Sequence, residues 1–124
     1  MSRILVADDE PNLVRILEQA LVRSGHEVTT AGDGLEALRR LALGNIDLVV
    51  LDIVMPNISG LDVIKEMQKK YPKIKIIAIS GGGGGGGPDA YLEVAKRLGA
   101  SCCLFKPFML NELSARVKEL LETT

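Results

Sequence analysis

Five side chains carry the chemistry this sequence can offer: Asp8 and Asp9 in ILVADDE, Asp52 in LVVLD, Ser80 in IIAIS and Lys106 in LFKPF. Each follows a short apolar run. Two carboxylates about 4 Å apart repel by roughly 4 kcal/mol at an effective dielectric near 20, so three together call for a cation. An all-oxygen set with open positions suits a hard divalent ion. Mg2+ fits best, because it binds through few carboxylates and keeps waters for a phosphate oxygen. Lys106 would supply a point positive charge opposite the metal, and Ser80 a hydrogen bond to an anionic oxygen. A central carboxylate can be a nucleophile, since aspartyl phosphates are known covalent intermediates. The set is therefore expected to receive a phosphoryl group on Asp52, with charge balanced by metal on one side and ammonium on the other. Any one of these residues alone reads more readily as a solvated strand end. The set weighs against that, because other charged residues stay out of the apolar runs.

For these groups to meet, the elements that carry them must end on one rim. The apolar runs at residues 4–7, 48–51, 76–79 and 102–105 show no polar alternation, the pattern of parallel strands buried on both faces. HEVTTA at 26–31 is weaker and fits an edge strand. Between the runs lie helical stripes: Leu13, Ile16, Leu17, Ala20 and Leu21; Leu35, Leu38, Leu41 and Ala42; Leu61, Ile64, Met67 and Tyr71; Tyr91, Val94, Ala95 and Leu98; Leu110, Leu113, Val117, Leu120 and Leu121. Pro11 suits a helix start and Gly25 and Gly99 suit helix ends, while Asp33 with Glu36 and Ser59 with Asp62 read as capping boxes. Five βα units in strict alternation imply an α/β fold, a parallel sheet with helices on both faces and right-handed crossovers. In such a sheet ligands bind beyond the carboxyl ends of the strands, where the five residues fall. No repeat or linker divides the chain, so residues 1–124 read as one domain.

With 124 residues and a formal net charge of −1, the chain is long enough for a buried core. It shows no basic block that would mark direct nucleic-acid contact. No run approaches a membrane span, and the amino terminus does not read as a signal peptide. Cys102 and Cys103 are neighbours on a strand and point to opposite faces, so a mutual disulfide is not expected. Reduced thiols suggest a cytoplasmic setting.

The acid pair, the stretch DLVVLDIVMPNISG with Asp52, Met55, Pro56 and Gly60, and KPF at Lys106, Pro107 and Phe108 together resemble the response-regulator receiver family of two-component signalling. The likeness covers the whole chain. It implies a doubly wound (βα)5 flavodoxin-like fold with strand order 2-1-3-4-5. It also implies that Asp52 accepts phosphate from a histidine kinase or phosphotransfer protein. Asp8, Asp9, Asp52 and the backbone carbonyl of Val54 would then form the Mg2+ site, with Asp9, Asp52 and Val54 as direct ligands. Ser80 would turn toward the phosphoryl group, Lys106 would pair with it, and a cis bond would precede Pro107. Such a domain is a switch and not an enzyme, acting on an output domain or through a homodimer. The chain stops after the fifth helix, which suits either a stand-alone receiver or one joined to an output domain.

There are two departures from the family. The family's inward-turning ring three residues before the lysine is here Cys103, for which Phe105 is a poor substitute despite sharing its strand parity. The loop after Ser80 holds seven glycines, Gly81 to Gly87. That run is expected to resist a fixed conformation, either as a hinge or as a stand-in for other residues. It lacks the Gly-Lys-Ser/Thr of a phosphate-binding loop, which weighs against a nucleotide-binding module. A phosphohydrolase would need an acid at Val54, and a helical phosphotransfer protein is excluded by the alternating elements. A degenerate receiver that only binds partners is the remaining alternative. His26 is expected to be an exposed strand residue, Met55 a packing residue and Tyr91 a surface residue.

Overall fold

In the computed structural model, which describes residues 2–81 and 88–122, the ten elements alternate as expected. They are β1 (Arg3–Ala7), α1 (Pro11–Arg23), β2 (Glu27–Ala31), α2 (Gly34–Ala42), β3 (Leu48–Asp52), α3 (Gly60–Lys70), β4 (Lys75–Ser80), α4 (Pro88–Leu98), β5 (Cys102–Phe105) and α5 (Leu110–Glu122). The strands form one sheet in the order β2-β1-β3-β4-β5, and every pairing is parallel. This is the doubly wound, flavodoxin-like arrangement.

The apolar runs of β1, β3 and β4 lack polar alternation because both faces of the sheet are covered there. Leu5, Ala7, Val49, Leu51, Ile76 and Ala78 face a core closed by α2, α3 and α4. Their neighbours Ile4, Val6, Leu48, Val50, Ile77 and Ile79 face a second core closed by α1 and α5. Fully buried side chains such as Leu17, Leu21, Ile64 and Met67 each contribute about 1.5–3 kcal/mol relative to exposure.

Helix ends follow their local chemistry. Pro11 opens α1, and Gly25 follows that helix at a φ of 93°, a conformation glycine reaches at no steric cost. Asp33 caps α2 by accepting from the Glu36 N–H at 2.8 Å, while Glu36 accepts from the Gly32 N–H at 2.7 Å. Ser59 caps α3 through the Asp62 N–H at 3.3 Å.

Several expectations need correction. Residues 102–105, read as a strand buried on both faces, form an edge strand that buries only Leu104, and Ile16, Val94 and Leu110 of the helical stripes lie exposed. The buried residues of α2 are Gly34, Ala37 and Leu41, whereas Leu35 and Ala42 lie exposed: the helix sits close to the sheet, so small residues line its inner face. His26 is half-buried rather than exposed. Its Nδ1 has no hydrogen-bond partner among the described residues, and burial lowers its pKa. Tyr91 packs partly buried against the α2–α4 core instead of standing on the surface, as Met55 does in keeping with its expected packing role. Of the glycine run, only Gly81 is described, and the expectation for Gly82 to Gly87 lies outside the described residues.

Candidate functional site

The first acid is set where β1 gives way to α1. The Asp8 N–H donates to the Ala31 carbonyl at 3.0 Å, extending the β1–β2 pairing by one bond. Asp8 Oδ1 accepts from the Glu10 N–H at 2.9 Å, which turns the chain into α1. Asp8 is thereby buried, while Asp9 next to it is exposed. Sequence alone does not separate these two neighbours.

Asp52 is the last residue of β3, a strand paired on both sides, and is 4% exposed. Its Oδ1 accepts from the Val54 N–H at 3.3 Å. The start of α3 comes so close behind it that a Cβ on Gly60 would overlap the Asp52 carbonyl oxygen and lie 2.7 Å from Ile53 Cα. Only glycine fits there.

Lys106 arrives from the opposite side. Its N–H donates to the Ser80 carbonyl at 2.8 Å, tying the end of β5 to the end of β4, and a cis peptide bond follows it at Pro107. Its Nζ lies 2.9 Å from Asp8 Oδ2 and donates to Asp52 Oδ2 at 3.4 Å. Ser80 is wholly buried at the end of β4, in register with Phe105. The structure thus gathers Asp8, Asp52 and Lys106 directly, with Asp9 beside them and Ser80 on the adjoining strand end. Val54 turns its N–H to Asp52 Oδ1, and the residue is 46% exposed.

The electrostatics are unbalanced. Asp8, Asp9 and Asp52 each offer a carboxylate oxygen, all within 4.8 Å of one another, against the single ammonium of Lys106. Burial, and then the charge on Asp8, push the pKa of Asp52 up to about 6, with Lys106 and the Val54 N–H pulling the other way. Burial acts to lower the pKa of Lys106, but its contacts with Asp8 and Asp52 outweigh that and raise it. An uncompensated all-oxygen cluster of this kind fits a hard divalent cation such as Mg2+.

Cys103, which stands where a ring was expected, is half-buried with its thiol 3.6 Å from the Leu92 carbonyl of α4. Phe105 is 49% exposed. Both cysteines are free, and burial raises the pKa of each. No described helix is long and apolar enough to cross a membrane. One pair of residues beside the site escaped the sequence reading: Asn57 donates to Asp33 Oδ2 at 3.0 Å, a contact between two loops that no spacing rule announces.

The chain can now be set beside known proteins. The alkaline phosphatase synthesis transcriptional regulatory protein PhoP of Bacillus subtilis is 37% identical over 119 residues, which is 96% of this chain and 48% of that protein. The transcriptional regulatory protein PrrA of Mycobacterium tuberculosis is 40% identical over 119 residues, 96% of this chain and 49% of that one. The chain therefore spans about half the length of these curated relatives. Among solved structures, the response regulator protein TrrA of Thermotoga maritima in complex with Mg2+-BeF superposes with a TM-score of 0.84 at 41% identity, covering 97% of this chain and 99% of that one. The family model described as the response regulator receiver domain matches residues 4–118, a span that runs from within β1 into α5 and holds every residue of the acid cluster, and the chain belongs to that family.

Proposed function

We propose that this domain is a Mg2+-dependent phosphoacceptor and switch, not an enzyme, and that Asp52 is its acceptor. The observation that carries the reading is the central place of Asp52: buried at a strand end, within reach of two further carboxylates, and hydrogen-bonded to the Lys106 ammonium. Asp9, Asp52 and the Val54 carbonyl would hold the metal directly, with Asp8 completing the acidic pocket. When bound, the ion supplies positive charge to the three carboxylates and to the incoming phosphoryl oxygens. Ionised Asp52 attacks the phosphorus of a phosphohistidine on a kinase or phosphotransfer protein, the P–N bond breaks, and the imidazole leaves with the bonding electron pair. Lys106 neutralises the charge that arrives on the acceptor, and the Ser80 hydroxyl donates to a phosphoryl oxygen.

Beside Lys106 an apolar cleft of about 510 Å3, lined by Leu13, Ile16, Pro107, Phe108 and Leu110, offers a donor protein a seat next to the acceptor. The relatives PhoP and PrrA are transcriptional regulators about twice as long, which supports an output domain as the element switched in the full-length protein. A cytoplasmic setting accords with this role.

Incubation with a small phosphodonor and Mg2+ tests the assignment. The parent is expected to gain one phosphoryl group, and Asp52→Asn none. An unlabelled parent would favour the alternative, a degenerate receiver that only binds partners. Labelling of Asp52→Asn at the parent's rate and position would move the acceptor elsewhere.

A further inference from the structure

The loop that follows the acceptor is docked onto a helix that the proposed chemistry does not use. Asn57 Nδ2 donates to Asp33 Oδ2 at 3.0 Å, while Asp33 Oδ1 accepts from the Glu36 N–H at 2.8 Å. One carboxylate thus caps α2 and holds the loop between β3 and α3. Beside it, buried Gly34 meets Ile58 so closely that a Cβ would overlap the Ile58 carbonyl oxygen and lie 2.9 Å from Ile58 Cβ. Within the loop, the Ile58 N–H donates to the Pro56 carbonyl at 2.9 Å and the Gly60 N–H to the Ile53 carbonyl at 2.8 Å. Asn57 takes a left-handed φ of 69°, which asparagine tolerates better than most residues.

From this geometry we infer that the amino-terminal end of α2 is a fixed shelf for the acceptor loop, with Asp33 and Asn57 as positioning residues for metal binding. Neither residue belongs to the acid cluster. Their effect passes through the loop, whose Val54 N–H holds Asp52 Oδ1 and whose Val54 carbonyl is the proposed backbone ligand. The inference rests on that proposed metal site. A loop fixed at the strand end and again at its tip presents a carbonyl in one direction. A loop fixed only at the strand end must be ordered when the cation arrives, and the ordering weakens binding. Partners one shell beyond a metal's ligands change affinity about 10–100-fold when removed. Asp33 and Asn57 stand further out, so the lower end of that range applies.

The test uses the whole chain without phosphodonor. Asn57→Gly keeps the left-handed backbone accessible and removes the amide. Asp33→Ser keeps a capping oxygen and removes the one that holds Asn57. Mg2+ affinity is measured by calorimetric titration, and amide hydrogen exchange at Ile58 and Gly60 is followed in chelator. Each single variant is expected to bind Mg2+ about tenfold more weakly and to exchange faster at both amides. The double variant should be no weaker than either single, because both break one link. Asp33→Asn, which removes the charge but can pair with a turned Asn57 amide, should stay near the parent. Leu121→Ala, at the far end of α5, should lower thermal stability and leave Mg2+ affinity unchanged. Parent-like affinity in both single variants, additive losses in the double, or a loss in Asp33→Asn equal to that in Asp33→Ser would overturn the positioning role while the parent still binds Mg2+. A parent that binds no Mg2+ would overturn the metal-site reading as well.

Discussion

Replacing Asp52 with asparagine keeps the shape of the side chain and removes one of three clustered negative charges. Burial and the neighbouring Asp8 carboxylate move the pKa of Asp52 from 3.8 to about 6 in the folded protein. At 1.36 kcal/mol per pH unit, holding Asp52 ionised at neutral pH costs the fold about 3 kcal/mol. The direction follows from linkage. A carboxyl whose folded pKa is raised contributes stability that is fully present below 3.8 and lost as pH rises through about 6. Asparagine has no such loss, and Lys106 keeps its 2.9 Å ion pair with Asp8. Asp52→Asn is therefore expected to be more stable than the parent at pH 7.5 in chelator, by up to about 3 kcal/mol. For a domain of this size that is a rise in Tm of roughly 10 °C. Near pH 4 the two proteins should unfold almost together. Added Mg2+ should stabilise the parent by mass action and narrow the gap at pH 7.5. Urea unfolding and thermal melts followed by far-ultraviolet circular dichroism at both pH values measure all of this. A variant no more stable than the parent at pH 7.5, or a gap of the same size at pH 4, would refute the view that this carboxylate is held charged against its surroundings.

Lys106→Met keeps most of the stem but strips the ammonium from buried Asp8 and Asp52. It should lower stability in chelator by about 3 kcal/mol at neutral pH, the scale for breaking a buried pair. Unchanged urea midpoints would show that the ion pair is energetically idle. Val54, 46% exposed, sets an apolar side chain beside Asp52 and gives an attacking water no polar partner. Val54→Asn is expected to shorten the lifetime of the aspartyl phosphate several-fold, and an identical decay rate in the two proteins would dismiss the idea. Cys103→Tyr restores a ring on the strand face that meets α4. Sedimentation with and without phosphodonor should then show partner binding or self-association that depends more steeply on phosphorylation, and no added dependence would make the ring irrelevant in this chain.

The inner strands β1, β3 and β4 were legible because burial on both faces leaves no room for a polar residue until the chain reaches the rim. The change from Leu51 to Asp52, or from Ile79 to Ser80, therefore marks both the strand end and the site. Helix faces were less legible. The period pointed to Leu35 and Ala42 in α2, but close packing on the sheet selects Gly34, Ala37 and Leu41, and a reading weighted by side-chain size undervalues glycine and alanine. His26 looked like an edge residue because sequence does not show that α5 packs over that corner, where His26, Val117 and Leu121 line one cavity. Asp33 was visible as a cap, yet its second oxygen reaches Asn57, 24 positions away. Only the folded loops bring those two together.

The strand order divides the site mechanically. Asp8 follows β1 and Asp52 ends β3, and both strands are hydrogen-bonded on two sides. Lys106 follows β5, which has four residues, pairs only with β4 and buries fully only Leu104. Local opening takes least free energy where few buried contacts and one-sided pairing hold an element, and approaches the global unfolding energy at the centre of a sheet. The negative half of the site is thus anchored to the part of the molecule that lets go last, and the positive half to a part that can loosen by itself. The acids act as a standing reference, and the ammonium is the hinged jaw of the clasp.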